Sequence, residues 1–168
     1  AVAAGGIVNW LATSAIMSLS TSVQQLAARR LGQDKHSEVA SPLNAGLAIA
    51  IFLGIPLAYI FHSNANFIIS LISDDPDVIR EGTEYLSITF LAIPFYGINF
   101  CFRGFCSGIN KQHIYMVTII IIHVTNAILS YIFIFGKYGS PALGTMGAAL
   151  GTLFAPALGS VIYVVMGI

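Results

Sequence analysis

The chain has 168 residues, of which 57% are hydrophobic and only 8% are charged. Soluble domains typically carry about 25% charged residues, so this composition excludes an ordinary soluble globular protein. Seven Lys and Arg residues balance seven Asp and Glu residues, which leaves no basic footprint for a nucleic-acid partner. The sequence therefore predicts an integral membrane protein.

Segments long enough to cross a bilayer, about 20 apolar helical residues, occur five times along the chain. The sequence therefore predicts an all-α, polytopic membrane helix bundle with five transmembrane helices. The spans are expected at residues 3–30, 43–62, 83–106, 112–135 and 144–168. Because the chain starts without a Met and ends inside an apolar run, we expect residues 1–168 to be a single transmembrane domain of a longer protein.

The first span carries its polar residues on one helical face. They are Asn9, Thr13, Ser20 and Gln24. Hydroxyl side chains can bond to the backbone of their own helix, so only Asn9 and Gln24 need partners elsewhere. These two residues are candidates for lining a polar cavity.

Small residues repeat at every fourth position in the second and fifth spans. They are Gly46, Ala50, Gly54 and Ala58, and then Gly147, Gly151, Ala155 and Gly159. Small residues at this spacing let two helix backbones approach closely, which favours helix association in lipid. The pattern predicts a tightly packed bundle.

The third and fourth spans form a helical hairpin, residues 85–136, in which each helix has one narrow polar stripe. The stripes consist of Tyr85, Thr89, Tyr96, Asn99 and Arg103 in the third span, and His123, Asn126 and Ser130 in the fourth. The remaining residues of both spans are apolar almost all the way round. Two such helices indicate the walls of a polar cavity inside the membrane.

His123 is the strongest functional candidate, because it is the only ionisable side chain deep in an apolar run. Imidazole groups titrate near neutral pH, so His123 could couple transport to proton flow. The alternative is a neutral histidine bonded to a neighbouring helix. Asn126 and Ser130 could line a substrate or ion cavity or form interhelical hydrogen bonds, and Tyr96 and Asn99 leave the same two alternatives open.

Prolines mark both the start of the third span and the interior of three spans. Asp75 and Pro76 predict a capped helix start, because an Asp N-cap followed by Pro in the first turn is a common arrangement. Pro56, Pro94 and Pro156 lie inside spans, where a proline removes one backbone hydrogen bond. These prolines either fit the helices to the bundle or act as bending points in a transport cycle.

Lys and Arg are unevenly divided between the connections. The first-to-second and third-to-fourth connections carry Arg29, Arg30, Lys35, Arg103 and Lys111, whereas the other two carry Arg80 and Lys137. Because cytoplasmic loops carry the excess of basic residues, we expect the first-to-second and third-to-fourth connections to be cytoplasmic in a multi-pass protein.

Groups typical of catalysis do not occur together in the sequence. It contains no nucleophile–base pair, no phosphate-binding loop and no metal-ligand spacing. The two cysteines, Cys101 and Cys106, face different directions on one helix and are expected to fill apolar space. We therefore predict no enzyme, no catalytic residue, no bound cofactor and no metal site.

Short motifs follow one another along nearly the whole chain. They are Ala27-Ala28-Arg29-Arg30-Leu31-Gly32, Asp75-Pro76-Asp77-Val78, Phe102-Arg103-Gly104, Asn126-Ala127-Ile128-Leu129-Ser130 and Pro141-Ala142-Leu143-Gly144. In order and spacing they resemble the multidrug and toxic compound extrusion (MATE) transporters. The resemblance implies about twelve helices in two six-helix lobes, of which this chain would supply helices two to six of the N-terminal lobe.

The same resemblance implies the function, the partners and the location. It implies secondary active efflux of small organic, often cationic, compounds by drug:Na⁺ or drug:H⁺ antiport and alternating access. The partners would be the lipid bilayer and the remaining helices of the full-length transporter, in the cell (inner) membrane.

One branch of the family pairs an Asn with an Asp four residues later as part of a proton site. Here Asn126 matches, but Ser130 stands where that Asp would be.

Two alternatives remain at the level of the sequence. A lipid-linked oligosaccharide flippase of the same superfamily would be expected to carry more basic residues in its cleft than Arg103 alone. A non-transporting membrane scaffold would explain the small-residue stripes, but not polar stripes that converge on one cavity.

Overall fold

The computed structural model describes residues 2–166, except for the side chains of residues 2–5 and 15. Every regular element in this part of the chain is helical. The helices are α1 (Val2–Gly32), α2 (Ser41–Ser63), α3 (Ala65–Ser70), α4 (Pro76–Phe90), α5 (Ile93–Gly108), α6 (Gln112–Phe135) and α7 (Thr145–Val165). A single 3₁₀ turn, His36–Glu38, precedes α2. The all-α class predicted from the sequence is confirmed, and residues 167–168 of the fifth predicted span lie outside the described part.

Three helical segments in the described residues are long and apolar enough to cross a membrane: His36–Ser63, which contains α2, then α6 and α7. The pair α4 and α5 makes a fourth if it is one broken span. Helix α1 has 31 residues, which is roughly 47 Å at 1.5 Å per residue. The predicted fourth span, residues 112–135, coincides with α6.

The third span predicted from the sequence is not one continuous helix, because α4 and α5 are separate helices that meet at 48°. The turn tightens at the break, where the Leu91 and Ala92 amides donate to the carbonyls of Ile88 and Thr89. Pro94 follows in the first turn of α5 and offers no amide hydrogen of its own. Tyr85 to Arg103 therefore do not share one continuous helical face.

The Ser87 carbonyl lacks its usual helical partner at this break, because the Leu91 amide donates to the Ile88 carbonyl instead. The His62 ring on α2 replaces that partner, and its Nδ1 donates to the Ser87 carbonyl at 2.8 Å. A buried or membrane-embedded carbonyl needs such a partner, because an unpaired backbone group in lipid is costly. His62 thereby ties the bend to α2.

Asp75 caps α4 as predicted. Its side chain accepts hydrogen bonds from the amides of Asp77 and Val78, and Pro76 occupies the first helical turn. The cap therefore satisfies two of the amides that a helix start leaves without a partner.

Replacing Asp75 by alanine is expected to destabilise the protein by about 1 kcal/mol, the usual contribution of an N-cap carboxylate. The free energy of unfolding in an SDS titration measures the effect. Asp74→Ala is the matched control, because Asp74 is also exposed but caps no helix in the described structure. Equal losses in the two variants would mean that Asp75 contributes only its charge.

Two short elements were not predicted, α3 and the 3₁₀ turn. Helix α3 has only six residues, too few for a helical hydrophobic period to be recognised. It docks through Ile69, whose side chain fills the space beside Gly82 of α4. Phe67 on its other side is 62% exposed.

Both predicted small-residue stripes are buried, which confirms the tight packing. On α2, a Cβ added to Gly54 would lie 3.0 Å from the Cα of Pro94. On α7, a Cβ added to Gly147 would lie 2.5 Å from the carbonyl carbon of Phe133. The stripe of α2 therefore faces α5, and the stripe of α7 faces α6.

The two helices of the predicted hairpin do not pair along their length. Helix α5 packs chiefly against α1 and α2, while α6 packs against α7. The reason lies in further glycines of α5, because Gly104 faces the Ser20 backbone of α1 and Gly108 faces the Gln24 carbonyl. Close backbone contact directs α5 to α1 rather than to α6.

Candidate functional site

A small cavity of about 180 Å³, with several polar side chains in a mainly apolar lining, lies between α5, α6 and α7. It is lined by Tyr96, Ile122, His123, Asn126, Thr152, Ala155 and Pro156. Three helices thus contribute polar groups to one space within an otherwise apolar bundle. Three of the predicted cavity residues, Tyr96, His123 and Asn126, are brought together here.

The local sequence places each of these side chains. His123 and Asn126 are three residues apart on α6, so both project from the same side of the helix. Tyr96 lies in the first turn of α5, directly after the break. Pro156 lies inside α7 and has no amide hydrogen, so the carbonyl of Thr152, four residues earlier, lacks its usual helical partner.

Polar side chains of neighbouring helices lie near the hydroxyl groups of the cavity. The Asn9 side chain of α1 interacts with the Tyr96 hydroxyl. The Thr152 side chain interacts with the Tyr85 hydroxyl of α4 and donates to the Ala148 carbonyl at 2.9 Å. Asn9 is 9% exposed, and its Oδ1 accepts no hydrogen bond from the described residues.

The cavity is half open, and within the described residues it measures about 180 Å³. Pockets for drug-sized ligands measure roughly 300–1,000 Å³. Its described lining contains no carboxylate, and His123 supplies its one imidazole. The site can therefore exchange a proton at an imidazole or offer neutral oxygens to a cation.

Asn99, another predicted cavity residue, lies at a helix crossing instead. Its Nδ2 is within hydrogen-bond distance of three acceptors: the Phe95 carbonyl at 2.7 Å, the Pro156 carbonyl at 2.9 Å and the Ser160 hydroxyl at 3.0 Å. The side chain is 8% exposed. In this position Asn99 joins α5 to α7 and supports the cavity wall at Pro156.

Ser130 and Gln24 also lie away from the cavity lining. Ser130 packs against Gly151, where a Cβ on the glycine would lie 3.0 Å from the Ser130 amide nitrogen. Gln24 is exposed and sits near the end of α1, beside Gly108 of α5. Arg103 is exposed as well, and its guanidinium lies over the Tyr115 ring at 5.5 Å.

Thr152 is the cavity residue that the sequence analysis missed. It is a single hydroxyl on a helix dominated by small and apolar residues, so no polar stripe drew attention to it. The available signal is its position four residues before Pro156, because that spacing leaves a backbone carbonyl unpaired inside a span.

A bundle in which three of the described helical segments are long and apolar enough to cross a membrane defines a multispanning membrane protein. A family model, MatE, matches residues 1–132. The chain therefore belongs to the MatE family, which confirms the resemblance seen in its motifs.

Relatives with curated descriptions are multidrug resistance proteins. The probable multidrug resistance protein NorM of Idiomarina loihiensis is 28% identical over 166 residues, which cover 97% of this chain and 36% of that protein. The NorM protein of Aliivibrio fischeri is 28% identical over 82% of this chain and 29% of its own length. MdtK of Yersinia pestis is 26% identical over the same shares. The chain spans about a third of the length of these relatives.

Two solved structures have the same fold. An inward-facing multidrug resistance MATE family transporter of the MOP superfamily matches with a TM-score of 0.80 at 17% identity, over 94% of this chain and 34% of that one. A MOP superfamily transporter from Pyrococcus furiosus, whose reversed pocket polarity suggests a different function, matches with a TM-score of 0.81 at 17% identity, over 93% and 33%. The fold of the chain is that of part of a MATE transporter.

Proposed function

We propose that the chain is part of a secondary active transporter that exports small organic, often cationic, compounds by drug:Na⁺ or drug:H⁺ antiport. It would form helices two to six of an N-terminal lobe and work by alternating access against a second lobe. Membership of the MatE family and the multidrug resistance relatives support this function.

The polar cavity between α5, α6 and α7 carries the proposal. Polar groups inside a membrane bundle are costly and mark ion or substrate paths. At about 180 Å³ the cavity suits a coupling ion rather than a whole drug. In the proton version His123 carries the exchangeable proton. In the sodium version Asn126 and the hydroxyl and free carbonyl of Thr152 supply oxygens.

The proposed orientation places the end of α1 and the end of α5 in the cytoplasm of the cell. The two ends lie side by side, because Gly108 of α5 adjoins Ala27 and Ala28 of α1. Arg29 and Arg30 on one helix and Lys111 beyond the other therefore concentrate positive charge at one end of the bundle, as cytoplasmic ends do.

Transport driven by a gradient tests the function. Inverted vesicles that contain the full-length transporter are supplied with a fluorescent cationic dye, and a Na⁺ gradient and a pH gradient are imposed separately. His123→Ala is expected to lower pH-driven dye movement about a hundredfold, the lower end of the roughly 10²–10⁴-fold that a positioned proton-transfer group contributes. Asn126→Ala is expected to lower movement under the gradient that drives the wild type.

Asn44→Ala is the matched control, because Asn44 is exposed on α2 and lies outside the cavity. It should transport like the wild type. Dye movement unchanged in both cavity variants would remove this cavity from the coupling step. No movement under either gradient would favour the flippase or the scaffold over the efflux transporter.

The 168-residue chain reconstituted alone is expected to move no dye under either gradient. Alternating access requires two lobes that rock against each other, and this chain corresponds to about a third of its relatives. Full-length protein in parallel vesicles is the positive control. Ion-driven efflux by the isolated chain would contradict the two-lobe mechanism.

A further inference from the structure

A second cavity, separate from the polar site, lies where α1 ends. It measures about 240 Å³ and is lined by Leu26, Arg29, Arg30, Gln33, Lys35 and Glu38. We propose that this cavity binds the phosphate of an anionic phospholipid headgroup.

Charge is the first reason for this proposal. Three cationic side chains face one small space with a single carboxylate, that of Glu38. Positive charge at the end of a span is expected from membrane topology alone, but topology does not require the charges to line one cavity. A cavity with an excess of positive charge complements a phosphate diester.

The second reason is that part of the cavity is held in place by the fold. The Arg30 Nη1 donates to the Glu38 carbonyl at 2.8 Å, and the Lys35 amide donates to the Arg30 carbonyl at 3.1 Å. Asp34, in the left-handed region with φ of 56°, turns the chain back toward the helix. These bonds hold the 3₁₀ turn beside the end of α1, and the other nitrogens of the Arg30 guanidinium donate no hydrogen bond to the described residues.

The position of the cavity favours a lipid over free phosphate. Leu26, one turn before Arg29, contributes an apolar wall and is 47% exposed. The cavity therefore opens at the boundary between the apolar length of α1 and its charged end. A phospholipid can place its phosphate among the cations while its acyl chain follows the apolar side of the helix.

Native mass spectrometry of the full-length transporter tests the proposal. The delipidated protein is mixed with equal amounts of phosphatidylglycerol and phosphatidylcholine, and the ratio of retained lipids is measured. Wild type is expected to prefer phosphatidylglycerol several-fold. The double variant Arg29→Gln/Lys35→Gln, which leaves the structural bond of Arg30 intact, is expected to lose that preference, since one basic residue near a membrane surface contributes about a fivefold effect.

Two further variants separate the cavity from general charge and from misfolding. Lys111→Gln removes one cation from the same end of the bundle but outside the cavity, and it should keep the preference. Glu38→Gln removes the carboxylate that stands among the described lining residues and should strengthen the preference, a gain that a folding defect does not produce. Equal loss with Lys111→Gln, or no gain with Glu38→Gln, would overturn the site.

Competition distinguishes a lipid from a soluble phosphate. Inorganic phosphate and glycerol 3-phosphate, added separately at millimolar concentration, should leave the retained phosphatidylglycerol unchanged. Displacement of the lipid by either compound would show that the cavity takes the phosphate group alone, and the proposed lipid site would be wrong.

Discussion

Gly104→Ala is expected to destabilise the protein by about 3 kcal/mol, at the upper end of the usual cost of overpacking. A Cβ at this position would overlap the carbonyl oxygen of Ser20 and lie 3.0 Å from the Ser20 Cα. Both are backbone atoms of α1, so no side chain can rotate away to make room. The two helices would have to separate along the contact that joins α1 to α5.

Thermal unfolding followed with a thiol-reactive dye measures this loss, because Cys101 and Cys106 are both buried and react only when the bundle opens. Gly32→Ala is the matched control, since a Cβ there meets no atom within 4 Å. The control should change stability by no more than about 0.5 kcal/mol. A Gly104 variant as stable as the control would show that α1 and α5 approach less closely than described.

Asn99→Ala is expected to cost about 2 kcal/mol, because it removes the only side-chain link from α5 to the Pro156 carbonyl and the Ser160 hydroxyl among the described residues. A single interhelical hydrogen bond in a membrane bundle averages about 0.6 kcal/mol. Loss of a buried side chain adds a cavity term, and the partners remain buried. Unfolding in an SDS titration measures the change.

Ser160→Ala serves as the comparison for Asn99. It removes one acceptor of Asn99 and the hydroxyl that donates to the Pro156 carbonyl at 3.0 Å and the Phe95 carbonyl at 3.5 Å. The bond from Asn99 to the Pro156 carbonyl is kept, so the loss should be smaller than for Asn99→Ala. Asn99→Ala with unchanged stability but impaired dye transport would contradict the cross-link and return Asn99 to the group of cavity residues.

Sequence signals that act over a few residues were sufficient for much of this fold. An apolar run between Lys111 and Gly136 has no internal proline, and its predicted bounds coincide with α6. Asp75 and Pro76 marked the start of α4, since capping depends only on neighbouring backbone amides. Small residues on α2 and α7 indicated close packing, because van der Waals contact between closely spaced backbones drives helix association in lipid.

The pairing of the helices depends on three-dimensional context that a stripe of polar residues does not contain. Periodicity from Tyr85 to Arg103 assumed one continuous helix, whereas the break at Leu91 and Ala92 rotates the two halves relative to each other. Proline was recognised inside this span, but whether a proline bends or ends a helix depends on its neighbours. The glycines of α5 mark the surface that packs against α1, which the polar stripe does not indicate.

The existence of a site with polar side chains between the helices was predictable, but the residues that line it were not. Tyr96 and Asn99 lie three residues apart on the same predicted stripe, yet the first lines the cavity and the second bonds to the backbone of α7. The difference lies on the neighbouring helix, where the Pro156 carbonyl and the Ser160 hydroxyl face Asn99. The functional roles of His123 and Asn126 remain predictions until transport is measured.

The order in which the helices are synthesised conflicts with the order in which they pair. Helices α6 and α7 are neighbours in the chain and can associate as soon as both are inserted, because a short loop has a low closure entropy. Helix α1, in contrast, must wait in the bilayer until α5 has been made, with Ser20 and Gln24 on its unpartnered face. Slow synthesis between residues 32 and 93 would prolong that exposed intermediate, so the rate of translation through α2 to α4 bears on the yield of correctly assembled protein.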